Sequence, residues 1–253
     1  MLVSVIVSTK NEERVIEKCL RSILDQTYKD FEIIVVDNNS TDKTQEIARR
    51  YTDKVYNKAP ERSAQRNYGA FEKASGEYLL FIDADFILEK DLIRECVNKV
   101  KQNSGIIGLY VPLRWVGKNW IIKARGFERE FYDGTVLDAV RFINADAFKK
   151  IGGFDERLYA GEDWDLNKRL MESGDVDIIN ARFDHYEDEN INLIDFIKKQ
   201  DYYSRNMQVY IDKWGQNDSD IKKQFGLYYR FLGVFIEDGK WKNMIKQPAT
   251  AAQ

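Results

Sequence analysis

The stretch Tyr78-Leu79-Leu80-Phe81-Ile82-Asp83-Ala84-Asp85 runs five apolar residues straight into two carboxylates. A short apolar run of this kind reads as a strand buried on both faces, and its abrupt end in acid marks where the chain leaves the sheet. Two carboxylates forced into one small space repel, so Asp-x-Asp at a strand end points to a bound divalent cation. The plainer alternative is a capping Asp followed by a turn Asp.

Upstream of this strand the chain alternates strand and helix signals. Residues 2–8 read as a first strand, and Val15, Ile16, Cys19, Leu20, Ile23 and Leu24 recur at helical spacing over residues 12–26. Phe31-Glu32-Ile33-Ile34-Val35-Val36 reads as a second strand closed by Asp37-Asn38-Asn39, after which Ser40 or Thr41 caps a helix through Arg50. Val55-Tyr56 is a short third strand, residues 61–74 a helix, and Gly76 a turn into the acidic strand. This rhythm predicts an α/β fold with a mostly parallel sheet flanked by helices. In such sheets ligands gather beyond the carboxyl ends of the strands, where Thr9, Asp37 and Asp83 all fall.

Downstream the pattern is less regular: a helix at 90–101, a strand at 105–111, an aromatic and basic stretch from Arg114 to Tyr132, and Phe142-Ile143-Asn144. A short helix at 146–150, the loop Gly152-Gly153-Phe154-Asp155-Glu156, a helix from near Glu162 and a strand at 176–179 lead to Asp184-His185-Tyr186. Two long helical patterns, about 192–213 and 217–237, follow.

Composition narrows the function classes. With 253 residues, 43% hydrophobic and 13% aromatic, the chain can bury a large core and is not disordered. Its 39 basic and 42 acidic side chains leave a net charge of -3, so bulk charge argues against nucleic acid as a partner. Cys19 and Cys96 have neither metal-ligand nor disulfide spacing and read as buried thiols of a reducing compartment. The apolar N-terminus lacks a basic leader and reads as a strand, not a signal peptide, and no apolar run is long enough to span a bilayer. A cytoplasmic location is the expectation.

Five segments in register resemble family 2 glycosyltransferases: Val5 to Glu13, Ile34 to Asp42, Arg66-Asn67-Tyr68-Gly69 with Ala74 to Tyr78, Phe81 to Asp85, and Gly152 to Glu156 together with Gly161-Glu162-Asp163-Trp164-Asp165-Leu166. The resemblance covers roughly residues 1–190. It implies a GT-A fold, Rossmann-like, with a nucleotide-sugar half at 1–105 and an acceptor and base half at 106–190, followed by a helical extension at 191–253. It also implies a UDP- or GDP-linked sugar as donor and a manganese or magnesium ion as cofactor. By the resemblance, Asp85 coordinates the cation, Asp83 lies near the ribose or sugar, Asp37 meets the base, and Thr9 and Glu12 line the same pocket. Arg62 and Arg66 are candidates to meet the base or the phosphates, and Glu162 and Trp164 flank Asp163 at the substrate.

Glu162-Asp163-Trp164-Asp165 stands where a helix begins, a position that favours carboxylates even without a catalytic role. In the family the Asp of the Glu-Asp pair is the general base, which corresponds to Asp163, and an in-line displacement with such a base inverts the anomeric centre. His185, the one histidine, lies where related enzymes place a further metal ligand, and imidazole suits manganese better than magnesium. By the resemblance, Arg114-Trp115, Lys118-Asn119-Trp120 and Arg125 fall in the stretch where family members diverge and usually bind the acceptor, although aromatic packing explains them equally well.

A base implies a hydroxyl acceptor, such as a glycan or lipid-linked glycan. A polyprenyl-phosphate sugar synthase, a non-catalytic nucleotide-binding module of the same fold and a glycoside hydrolase built on paired carboxylates are the alternatives. Between Lys198 and Lys246 ten basic residues face six acidic ones, and Phe225 to Ile236 reads as one helix, apolar nearly all round. With Trp241, Lys240, Lys242 and Lys246 as flank, that helix is expected at a membrane surface, on its cytoplasmic face, or else docked on the catalytic domain.

Overall fold

The structure is a computed structural model that describes residues 1–186 and 193–241. Its centre is a seven-stranded sheet. Strands β1 (Val3–Thr9), β2 (Phe31–Asp37), β3 (Val55–Asn57) and β4 (Tyr78–Asp83) are parallel, with β1 paired to both β2 and β4. Their connections are α1 (Ile16–Leu24), α2 (Thr44–Ala48) and α3 (Arg62–Tyr68).

The apolar runs have a direct physical cause. Val5, Val7, Val35, Leu80 and Ile82 on one face pack with α1, while Ile6, Ile34, Val36, Leu79 and Phe81 on the other pack with Phe148 and Phe154. Both faces are covered, so alternation disappears. Gly76, at the turn into β4, lies so close to β1 that a Cβ there would stand 2.6 Å from the Ser4 backbone nitrogen.

After β4 the chain makes the short strand β5 (Phe86–Leu88), α4 (Leu92–Gln102), β6 (Ile106–Tyr110), β7 (Leu113–Val116) and α5 (Trp120–Arg129). β8 (Val140–Asn144) then pairs antiparallel with β4 and with β6. α6 (Ala145–Lys150), α7 (Glu162–Met171) and β9 (Asp175–Ile178) complete the main sheet in the order β3-β2-β1-β4-β8-β6-β9. β10 (Phe183–Tyr186) forms a second sheet with β5 and β7, in which His185 stands opposite Phe86 and Trp115.

The remaining helices are α8 (Leu193–Asn206), α9 (Gln208–Trp214), α10 (Ser219–Phe225) and α11 (Val234–Ile236), the last preceded by a π-helical turn over Tyr229–Gly233. Tyr210 is fully buried against Leu158 and Ile221, so this region packs on the main α/β body.

Three expectations are corrected here. Neither Ser40 nor Thr41 caps α2, which starts at Thr44; Ser40 instead donates its backbone N–H and its hydroxyl to Asp37. The pattern 192–213 is two helices rather than one. The pattern 217–237 is also broken, because Gly226 takes an extended conformation (ψ 122°) that ends α10. The apolar residues after it therefore split. Tyr229 and Val234 are buried, whereas Leu227, Tyr228 and Phe231 are 74%, 71% and 72% exposed. Lys242, Lys246 and the chain beyond them lie outside the described residues.

Candidate active site

The carboxyl ends of β1 and β4, the N-terminus of α7 and the aromatic end of α8 surround one cleft. Three adjoining cavities of about 270, 300 and 350 Å³ make it up, and Arg62 and Tyr203 line all three. Thr9, Glu12, Asp83 and Asp85 face the first cavity, Glu162, Asp163, Trp164 and Arg141 the second, and Asp83, Asp85, His185, Trp115 and Trp164 the third. Gln65 donates to the carbonyls of both Thr9 (2.9 Å) and Val36 (2.6 Å), tying the ends of β1 and β2 together under the first cavity. The Thr9 hydroxyl is buried there with no partner.

Asp83, the last residue of β4, accepts from Ser8 Oγ at 3.2 Å and from Arg66 Nη2 at 2.9 Å. Arg62 and Arg141 stand 3.9 and 3.8 Å from its other oxygen. Burial works to raise its pKa, but Arg66, Arg141 and Arg62 overcome that and hold the carboxyl far below the usual range. Across the cleft, Asp163 accepts from Arg66 Nη1 at 3.0 Å and from Arg141 Nη2 at 3.3 Å. Burial is again opposed by Arg141, Arg66 and Arg62, and the net direction is down. Glu162 is the reverse case. Burial and the neighbouring Asp163 push it up against Arg62 and Arg66.

The backbone places Asp163. Gly161 precedes α7 with φ +78°, and a Cβ on it would meet the Tyr210 ring at 2.9 Å. Only glycine fits that left-handed, crowded turn. The Gly152 to Glu156 loop is clamped by Asn67, which donates to the Phe154 carbonyl and accepts from the Phe154 N–H, both at 2.9 Å. The neighbouring residues Arg66 and Asn67 thus serve the cleft and the packing of this loop respectively.

Asp85 and His185 meet because β10 registers on β5. His185 Nε2 lies 2.9 Å from Asp85 Oδ2, while Asp85 Oδ1 and His185 Nδ1 are buried without partners. Among the described residues no group of three or more His, Cys, Asp and Glu side chains is assembled for a metal. One carboxylate and one imidazole, with an orphaned oxygen, are donors of the kind that fit a borderline divalent cation.

Several expected residues do not line the cleft cavities. Arg66 is completely buried, with its guanidinium 5.1 Å over the Phe154 ring. Asp37 is also fully buried, and its carboxylate takes hydrogen bonds from Ser40 and Gln45. Arg114 pairs with Asp184 at 2.7 Å, and Trp120 is 68% exposed, away from the cleft. Trp115 stays, edge-on to the His185 ring at 4.5 Å. Sequence reasoning missed Arg141, Gln65 and Tyr203. Arg141 sits inside an apolar strand, and a charge in a buried strand is the one signal that marks it.

The profile of Glycosyl transferase family 2 matches residues 4–148. The chain is 30% identical over 194 residues to the glycosyltransferase AglE of Haloferax volcanii, covering 68% of this chain and 62% of that protein. It is 26% identical over 221 residues to the chondroitin synthase of Escherichia coli, covering 80% of this chain but only 32% of the synthase. The chain thus spans about a third of that synthase and less than two thirds of AglE.

Two solved structures share the fold. S. aureus TarS in complex with UDP-GlcNAc superposes with a TM-score of 0.64 at 19% identity, covering 99% of this chain and 77% of that one. The mannosyltransferase PcManGT of Pyrobaculum calidifontis, in complex with GDP-Man and Mn2+, gives 0.62 at 18% identity over 92% of this chain and 69% of that one.

Proposed function

Since this chain belongs to glycosyltransferase family 2, we propose that it is an inverting, metal-dependent enzyme of that family, moving a sugar from a UDP- or GDP-sugar to a hydroxyl of a glycan or lipid-linked glycan. The observation that carries this reading is the convergence of Asp83, the Asp85–His185 pair and the arginine-paired Asp163 on one cleft. The complexes of TarS with UDP-GlcNAc and of PcManGT with GDP-Man and Mn2+ support donor and metal class.

Thr9 and Glu12 line the nucleotide end of the cleft, and Asp83 receives the ribose or sugar hydroxyls. Asp85 and His185 hold the divalent cation, which when bound offsets the charge of the donor diphosphate. Asp163 takes the proton from the acceptor hydroxyl as its oxygen bonds to the anomeric carbon and the carbon–diphosphate bond breaks. Because the nucleophile enters opposite the leaving group, the anomeric configuration inverts.

The exposed apolar face at Leu227, Tyr228 and Phe231 supports a seat at a membrane surface, where lipid-linked acceptors lie. Among the described residues no helix is long and apolar enough to cross a membrane.

A screen of nucleotide sugars with manganese, read as released nucleoside diphosphate, tests the function. Release of UDP or GDP from one donor, with an inverted product by NMR, is the expected result. Absence of turnover across the UDP and GDP donors overturns the reading.

A further inference from the structure

Asp83 and Asp163 lie 80 positions apart in the sequence, on opposite walls of the cleft, and two guanidiniums join them into a closed ring. Arg66 spends one nitrogen on each: Nη2 on Asp83 at 2.9 Å and Nη1 on Asp163 at 3.0 Å. From the other side Arg141 lies 3.3 Å from Asp163 and 3.8 Å from Asp83. Each carboxylate thus has one oxygen facing Arg66 and the other facing Arg141. Arg66 cannot swing away, being completely buried above Phe154. A planar fork with fixed nitrogen spacing sets the separation of the two acids in a way that the point charge of a lysine does not.

We propose that Arg66 and Arg141 are positioning residues of the transfer reaction, tying the base Asp163 to the donor-side carboxylate Asp83 so that the base stands in register with the anomeric carbon. The assignment rests on the functional reading above. A purely structural ion pair looks different in this molecule: Asp165, held by Arg169 and Lys213, is sealed from the cleft, with no exposed side-chain surface. The side chains of Asp83 and Asp163 keep 18% and 22% of their surface open to the cleft. The ring therefore borders the space where substrate sits.

Five charged groups face Asp163: Arg62 and Arg66 from α3, Asp83 from β4, Arg141 from β8 and Glu162 from α7 itself. Replacing either bridging arginine by lysine loosens the hold on the base and weakens its stabilisation as an anion.

The experiment is a double-mutant cycle with Arg66→Lys, Arg141→Lys and Asp163→Asn, using the donor found by the nucleotide-sugar screen. Each lysine variant is expected to lower kcat by roughly 10- to 100-fold, with the acidic limb of its pH profile moved to higher pH. On the Asp163→Asn background the same changes are expected to cost less than about threefold, since residues acting through one group are not additive. Full additivity with an unmoved acidic limb would overturn the inference. Should Arg66→Lys fail to fold, Arg141→Lys, nearer the rim, carries the same two readouts. A wild-type chain that turns over no nucleotide sugar overturns the functional reading; an active wild type with additive losses overturns the inference alone.

Discussion

The sequence Asp-x-Asp occurs at both walls of the cleft, as Asp83-Ala84-Asp85 and as Asp163-Trp164-Asp165, with different consequences. At the end of β4 both acids serve the cleft, Asp83 through the arginines and Asp85 through His185. On α7 two positions amount to about 200° of turn, so the acids part. Asp163 faces the cleft, while Asp165 turns the other way to Arg169, Lys213 and the Trp214 indole, fastening α7 to α9. A spacing acquires meaning only from the element that carries it.

The largest effect expected from this contrast comes at the β4 end. Asp85→Ala removes the only carboxylate paired with His185 among the described residues, so transfer and manganese-dependent nucleotide binding are expected to disappear together. Isothermal titration with nucleotide and manganese checks this, and unchanged metal dependence would break the assignment.

Next comes Asp163→Asn, expected to lower turnover about 10²- to 10⁴-fold with donor binding nearly intact. Its counterpart, Asp165→Ala, leaves Arg169 and Lys213 without their shared carboxylate and is expected to cost about 3 kcal/mol of stability by urea unfolding. Equal kinetic losses from the two substitutions would erase the contrast.

A smaller, pH-dependent effect is expected in the loop after α5. Burial, then the nearby Asp138, pushes the Asp133 carboxyl from 3.8 up to about 7. Its neutral form suits the fold, so its contribution is complete below the unfolded pKa near 3.8 and is lost as pH rises through 7. Thermal melts of Asp133→Asn are expected to lack that decline; a wild-type slope retained in the variant would refute it.

The smallest effect is reserved for the exposed face. Phe231→Glu is expected to change stability by no more than about 0.5 kcal/mol, because the side chain is already in water. It is expected to abolish flotation with anionic liposomes, and equal flotation of both proteins would remove the membrane reading.

Much of the wall at the ends of β1 and β4 was legible in advance. Buried parallel strands write themselves as apolar runs, and the acids that end them mark the ligand side of the sheet, so β1, β2, β4 and the positions of Thr9, Asp83 and Asp85 followed from local pattern. The left-handed Gly161 ahead of α7 likewise fits the acidic start expected there. The cap expected at Ser40 or Thr41 did not survive: the Ser40 hydroxyl and backbone N–H are drawn to Asp37, and the helix starts later, at Thr44.

Tertiary structure alone decided which charges meet. Nothing in the spacing of Arg66, Arg141, Asp83 and Asp163 announces a ring, since ion pairing depends on separation in space and these side chains come from α3, β8, β4 and α7. The same holds for His185, brought to Asp85 by the register of β10 on β5, and for Tyr203, carried over the cleft by α8. Hydrophobic periodicity records the environment of one element at a time; the contacts between elements exist only once the sheet has set their distances.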